Sequence, residues 1–428
     1  VLPRRLLTSA VAVLAMTAPV ALGDVTVWQG SMAGWRGTSG DVTARVVARV
    51  SLGGTHLRVR LSNEFGTVPL RIGQAWVGLA APGGGPALVP RSNHRLRFSG
   101  AGGVVVAAGG ARWSDPVALR VGAGAQVAVS IHAHGQPVSG KNFPPYAAAP
   151  TGLFLSLPGA HAGDESGRAF PTATISLDDT RGDSPAGSYP GQAWWVDAIA
   201  SDAPARGTVV VLGDSISEGY GAVGPPGQRA SDILGARMSA APAHLRMAVS
   251  NASISGDTLT VEPNPYMPPT DPYGCCGLPI PQRLGRDVLR MPGVRTVLVM
   301  AGTNDLAGAQ YGPPVGADTV IAGYQALIRR LHADGLRVVG QTLIPMGLDP
   351  SNPREQARQQ VNAWIRQRIG WDAVVDQDAA LRDPAVPWRI MPAWESTGFV
   401  APTGGVYHPN AAGHAVMAAA IRDSVLRG

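Results

Sequence analysis

Lysine is almost absent from this chain. Lys141 is the only one in 428 residues, although Lys and Arg together number 35 against 29 Asp and Glu. The net charge of +6 is therefore carried almost wholly by arginine, and no arginine run exceeds two residues, as in Arg4-Arg5 and Arg329-Arg330. A surface that tracks a phosphate backbone needs clustered cations, so nucleic acid is excluded as a partner. Cysteine is equally scarce: Cys275 and Cys276 are adjacent and cannot staple two distant elements, so the fold must stand on its apolar cores. Whether the two form a vicinal disulfide or stay as free thiols is open at this level. Charged residues make up only 15% against 45% hydrophobic, which excludes a disordered chain. The 55 glycines and 37 prolines follow no triplet repeat, which excludes a collagen-like fibre and points to a loop-rich fold.

What is present begins with a leader pattern. Arg4 and Arg5 precede an apolar stretch over 6–18, and Ala21 and Gly23 place small residues at −3 and −1 of a cut after Gly23. Residues 1–23 are expected to be a signal peptide, with the mature protein starting near Asp24, secreted or periplasmic, and without stable membrane insertion once the signal is removed. The apolar run is short for a membrane span, and no later segment has the length and purity of one.

The rest divides by rhythm. Over 24–200, short alternating runs at 43–51, 56–62, 70–79, 94–98, 104–107 and 127–133 read as strands, separated by turns rich in Gly, Pro and Asn. Two antiparallel sheets hiding one apolar face each would be an all-β, jelly-roll-like sandwich, and such a domain could bind carbohydrate. Over 207–428, apolar runs at 208–212, 245–250, 294–300, 336–343 and 373–375 alternate with helical patterns. Ile321, Tyr324, Leu327, Ile328 and Leu331 fall on one helical face with Gly335 as its cap, and 352–369 and 409–427 read as further helices. This is the signature of an α/β three-layer sandwich on a parallel, flavodoxin-like sheet. Ser201-Asp202-Ala203-Pro204 reads as a short linker between the two domains.

Three strand ends carry candidate chemistry. The run at 208–212 ends in Gly213-Asp214-Ser215, placing a hydroxyl nucleophile where open α/β sheets bind ligands. The second ends in Asn251-Ala252-Ser253-Ile254-Ser255-Gly256-Asp257, and the third in Gly302-Thr303-Asn304-Asp305. A backbone N–H at Gly256 and the uncharged amide of Asn304 are donors suited to a developing oxyanion. Near the C-terminus, His408 in Tyr407-His408-Pro409-Asn410 offers a general base just before a helix. Asp214 and Asp305 read as loop-holding carboxylates rather than proton carriers.

These four blocks, Ser215, Gly256, Asn304 and His408 in that order, resemble the SGNH hydrolases, also called GDSL esterases and lipases. The resemblance spans about half the chain, roughly 207–428, and 251–258 (NASISGDT) is similar to the thioesterase and lysophospholipase members. The sandwich also looks like the domain that precedes it in some secreted bacterial members. The resemblance implies a serine ester hydrolase forming an acyl-enzyme on Ser215, with His408 as base and an oxyanion hole from Ser215, Gly256 and Asn304. It implies no metal and no cofactor. A carbohydrate or small alkyl ester, such as an acylated glycan, is the expected substrate. A lipid or thioester substrate is the alternative, and a glycan- or envelope-binding protein with an impaired hydrolase domain is the non-enzyme alternative.

One position departs from the pattern. The family's last block reads Asp-x-x-His, and the residue three before His408 is Gly405. The group that orients the imidazole is left open among a backbone carbonyl, Glu395, Asp376 and Asp378. His132 and His134 share one strand face without a third metal ligand at sensible spacing, and His414 reads as a packing residue. The proline-rich stretch 261–281 reads either as a wall of the acyl pocket or as a solvated loop.

Overall fold

A computed structural model describes residues 23–142, 152–175, 182–260, 276–308, 314–396 and 408–427. The leader over 1–22, Gly405, Cys275 and most of the proline-rich stretch lie outside the described residues.

The N-terminal half is antiparallel. One sheet has the order Val25–Gln29, Val196–Ser201, Gly54–Ser62, Val117–Val121, with Ala111–Trp113 also paired to Gly54–Ser62. A second runs Gly187–Pro190, Gly152–Leu155, Val42–Arg49, Gln126–Ala133, Gln74–Leu79, His94–Arg95. A third places Pro137–Asn142 between Gln192–Trp194 and Gly34–Thr38. The strand Val42–Arg49 is buried on both faces. Its Val42, Ala44, Val46 and Ala48 enter the main core, while Val47 on the opposite face packs with Ala128, Phe154 and Phe170. Arg45 shares that second face, held by Ser130 Oγ at 2.8 Å and stacked 4.2 Å from the Phe170 ring. Period-two alternation thus buries both faces, each with its own chemistry.

The expected strand at 70–79 is two strands. Leu70–Ile72 pairs with Val104–Val106, and after Gly73 the chain changes sheets so that Gln74–Leu79 pairs with Gln126–Ala133. Apolar and polar residues are interleaved on both sides of Gly73, which gives no warning of a change of partner. Ser201 is the last residue of a fully paired strand rather than the start of a free linker. Asp202 then holds the Thr55 and His56 N–H groups at 2.7 and 2.9 Å.

The C-terminal half is a five-stranded parallel sheet ordered Ala248–Asn251, Thr208–Gly213, Val294–Met300, Arg337–Gln341, Ala373–Val375. By chain order this is 2-1-3-4-5, with the direction of winding reversing between the first and third strands. The helix Ala317–Ala333 buries Val320, Tyr324, Leu327, Ile328 and Leu331, and Gly335 follows its end at φ +71°. The strand expected at 245–250 begins later, because Pro242 opens a 3₁₀ turn, Ala243–Leu245, that uses up Leu245. The helix expected over 409–427 breaks into Ala411–Ala420 and Asp423–Arg427. Ile421 turns inward at the break, and Arg237 donates to the Ala418 and Ile421 carbonyls that the helix end leaves open.

The halves meet along a buried boundary. Thr26 N–H donates to Thr208 Oγ1 at 2.9 Å, Gln29 Nε2 to the Asp287 carbonyl at 2.8 Å, and Val249 N–H to Ser51 Oγ at 3.0 Å. Ala248, the first residue of a parallel strand, is part of the sandwich core.

Candidate active site

The site is built at the carboxyl edge of the three adjacent strands around the reversal. Thr208–Gly213 is buried throughout and ends at Gly213, where a Cβ would lie 2.0 Å from the Met300 carbonyl oxygen. Only glycine lets the strand close against its neighbour there. Asp214 then caps the single-turn helix Ser215–Glu218 by accepting the Ile216 N–H at 3.0 Å, and Gly219 ends it at φ +112°. This sharp strand–turn–helix presents Ser215 at the edge.

His408 arrives from the other end of the chain. Asn410, two residues on, caps the helix Ala411–Ala420 through the Gly413 N–H, and its Nδ2 holds the Ala393 and Glu395 carbonyls. The His408 carbonyl accepts the Ser396 N–H at 2.9 Å. So fixed, His408 Nε2 lies 2.9 Å from Ser215 Oγ, and the Tyr220 ring packs against the imidazole at 4.4 Å between centroids. Burial pushes the His408 imidazole down to about 3, with His414 acting in the same direction. A neutral ring keeps a lone pair for the Ser215 proton.

The other two blocks are sewn to the first and to each other. Ser253 N–H donates to Asn251 Oδ1 at 3.0 Å, Ile254 N–H to the Gly213 carbonyl at 3.0 Å, and Gly256 follows at φ +79°. Asn304 enters a short helix, Thr303–Ala307, after Gly302 at φ +108°, and its Nδ2 donates to the Asp257 carbonyl at 2.8 Å. Asp305 accepts the Leu259 and Thr260 N–H groups, both at 2.9 Å. Asp214 and Asp305 thus hold loops, as read from the sequence. Burial raises the Asp214 carboxyl to about 7, with Asp305 adding to the rise.

A family model for GDSL-like lipases and acylhydrolases matches residues 211–416, which include all four blocks. The C-terminal half of the chain belongs to this family, the SGNH hydrolases, and is a carboxylic ester hydrolase domain. No curated protein matches the chain. Among solved structures, it is similar to a GDSL-like lipase from Bacteroides thetaiotaomicron VPI-5482, with 17% identity over 51% of this chain and 88% of the other at a TM-score of 0.33. It is also similar to an acetylxylan esterase from Geobacillus stearothermophilus, with 21% identity over 50% and 92% and a TM-score of 0.36. Likeness at this level says nothing of substrate.

Within this SGNH domain, the three carboxylates left open as orienters of His408 are engaged elsewhere. Asp376 pairs with Arg366 and accepts from Thr342, Asp378 pairs with Arg358 and Arg366, and Glu395 pairs with Arg389 at 3.1 Å. His414 is fully buried and faces the Tyr220 carbonyl from 3.1 Å, a packing role. His132 faces Asp41 from 2.9 Å, and among the described residues no three His, Cys, Asp or Glu side chains gather as a metal site. No helix among the described residues is long and apolar enough to cross a membrane. Cys276 is disulfide-bonded.

Sequence reasoning missed several supports of this site. The Tyr324 hydroxyl accepts the Ala301 N–H at 3.0 Å and donates to the Ala301 carbonyl, bracing the turn that carries Asn304. Tyr324 was legible only as a core residue, because a hydroxyl at the end of an apolar ring leaves no periodic trace. Tyr220 and Glu218 lie inside the nucleophile block without a motif of their own. Lys141 had a signal, its uniqueness in the composition, but a composition gives no position in the fold.

Proposed function

We propose that the protein is an exported serine ester hydrolase in which Ser215 is the nucleophile and His408 the general base. The Ser215–His408 separation of 2.9 Å, with the imidazole held neutral, carries this reading. Ser215 attacks the ester carbonyl as His408 takes its proton. The oxyanion forms among the N–H groups of Ser215 and Gly256 and the amide of Asn304. His408 returns the proton to the leaving alcohol, and water then releases the acyl group by the same route. The substrate is a carbohydrate ester or a small alkyl ester, and the sandwich beside the site is suited to present a glycan. Export is supported by the leader pattern and by a bonded Cys276, since such bonds persist in oxidising compartments.

The test is hydrolysis of p-nitrophenyl esters from acetyl to dodecanoyl by residues 24–428 and by Ser215→Ala. Turnover should vanish in the variant and should be greatest at acetyl or propionyl. An optimum at long chains would move the substrate to lysophospholipids or thioesters. Equal inertness of both proteins on every chain would leave a binding protein as the better reading.

A further inference from the structure

We propose that Lys141 is a positioning residue for ester hydrolysis: paired with Glu218, it fixes the 253–257 turn from the antiparallel half. The inference rests on reading Gly256 as an oxyanion donor. Lys141 stands on Pro137–Asn142, the middle strand of the three-stranded sheet, directly opposite Ala193. It is 1% exposed. Its ammonium crosses the boundary between the halves, donates to the Ser253 carbonyl at 2.9 Å and pairs with Glu218 Oε1. Glu218 closes the one-turn helix that Ser215 opens, and its other oxygen accepts the Ser255 N–H at 2.7 Å and the Ser255 hydroxyl. One carboxylate therefore ties the nucleophile turn to Ser255, the residue just before Gly256. The ammonium anchors both to a rigid sheet.

A second arm reaches the far side of the same turn. Arg283 grips the Asp257 carboxylate and the Ala252 carbonyl, and pairs with Asp287 at 3.0 Å. Asp287 also holds Arg286, which pairs with Glu64 and donates to the Met32 carbonyl. Arg60, paired with Asp197 in the sandwich, donates to the Arg286 carbonyl. Asp257 in turn receives the Asn304 amide on its carbonyl. Both ends of the turn are thus held by buried charges that lead back to the antiparallel half. Burial disfavours the Lys141 ammonium and Glu218 favours it, an expense without purpose in an interface that only needed apolar contact. A compact ammonium with three donors can serve a carboxylate and a carbonyl at once.

A lost strut should lower kcat and leave KM alone, because the misplaced donor acts on the transition state. The experiment compares wild type, Lys141→Met, Lys141→Arg and the double variant Lys141→Met/Glu218→Gln, which leaves no lone buried charge. Each is assayed as the full mature chain on p-nitrophenyl acetate, alone and with Asn304→Ala. We expect kcat to fall about 10- to 100-fold in Lys141→Met with KM within about threefold, and partial rescue in Lys141→Arg. Asn304→Ala should cost less in that background than in wild type, since both act on one oxyanion. Amide exchange should quicken over 252–257 and stay slow in the strand Val294–Met300. A folded variant with kcat within twofold of wild type, or full additivity with Asn304→Ala, would overturn the proposal. If wild type shows no Ser215-dependent turnover, the function reading has failed, and the exchange measurement alone decides the strut: unchanged exchange over 252–257 refutes it.

Discussion

The two halves reach the site by different means. In the parallel sheet every strand leaves at one edge, so loops far apart in sequence share that edge by construction. Ser215, Gly256 and Asn304 each follow a strand end there. In the antiparallel half strands exit at both ends, and no such convergence is forced. Its contribution comes instead from single side chains sent across the boundary: Lys141 to Ser253, Gln29 to Asp287, Arg60 to Arg286. One half supplies the candidate reacting groups in its loops, and the other sends side chains against those loops from outside.

The sharpest way to break this comparison is to remove a histidine from each half. His408→Ala should lower kcat by roughly 10⁴ or more, as loss of a base does in serine hydrolases. His132→Ala, which only releases Asp41 on an exposed face, should change kcat less than about twofold. Comparable losses on p-nitrophenyl acetate would mean that the sandwich carries chemistry of its own. Next in size is Asn304→Ala. Loss of one oxyanion donor costs about 10²–10³ in kcat with little change in KM. A rise in KM at constant kcat would make Asn304 a substrate-binding group instead.

The same contrast explains what could be read in advance. Strands at 294–300 and 373–375 were legible to the residue, because runs buried on both faces are continuous and end at turn residues. The candidate site's first three blocks could be placed in advance because they sit at such strand ends. The antiparallel half gave up its longer strands but not the exchange of sheets at Gly73, nor Val25–Gln29 or Val196–Ser201, whose pairing depends on partners more than 100 residues away. Lys141, Tyr324 and the Arg283–Asp257 pair act through contacts that only the folded chain creates.

A third test contrasts two fully buried carboxyls. Asp197, in the antiparallel half, has Arg60 as its cation. Asp214, in the parallel half, has no salt-bridge partner among the described residues and is pushed up to about 7 by burial. Between about pH 4 and pH 7 the folded protein keeps the Asp214 proton while the unfolded chain, at the ordinary value of 3.8, has lost it. The folded state binds more protons there, so this contribution to stability is present at low pH and is lost as pH rises, by about 1.4 kcal/mol per unit. Asp214→Asn keeps the cap and removes the titration. Its stability relative to wild type should climb from pH 4 to pH 7 in urea unfolding. His408 and His414 act in the opposite sense: their depressed values, about 3 and about 4, make the fold lose stability as pH falls below 6.5. Measuring the difference between variant and wild type at each pH cancels their effect. A flat difference would return Asp214 to an ordinary carboxylate.

The smallest expected effect concerns Glu395, which lies in the His408 loop yet spends its carboxylate on Arg389 at the rim. An acid that orients a catalytic imidazole costs up to about 10⁴ when made an amide, through the wrong tautomer. A carboxylate serving a half-exposed arginine costs little, because such pairs are worth under about 1 kcal/mol. The loop does not rely on it, since Asn410 and the Ser396 N–H already hold its backbone. Glu395→Gln should therefore keep kcat within about threefold of wild type, with no shift in the acid limb of the pH–rate profile. A loss of a hundredfold or more would show that the carboxylate serves the imidazole rather than Arg389 during turnover.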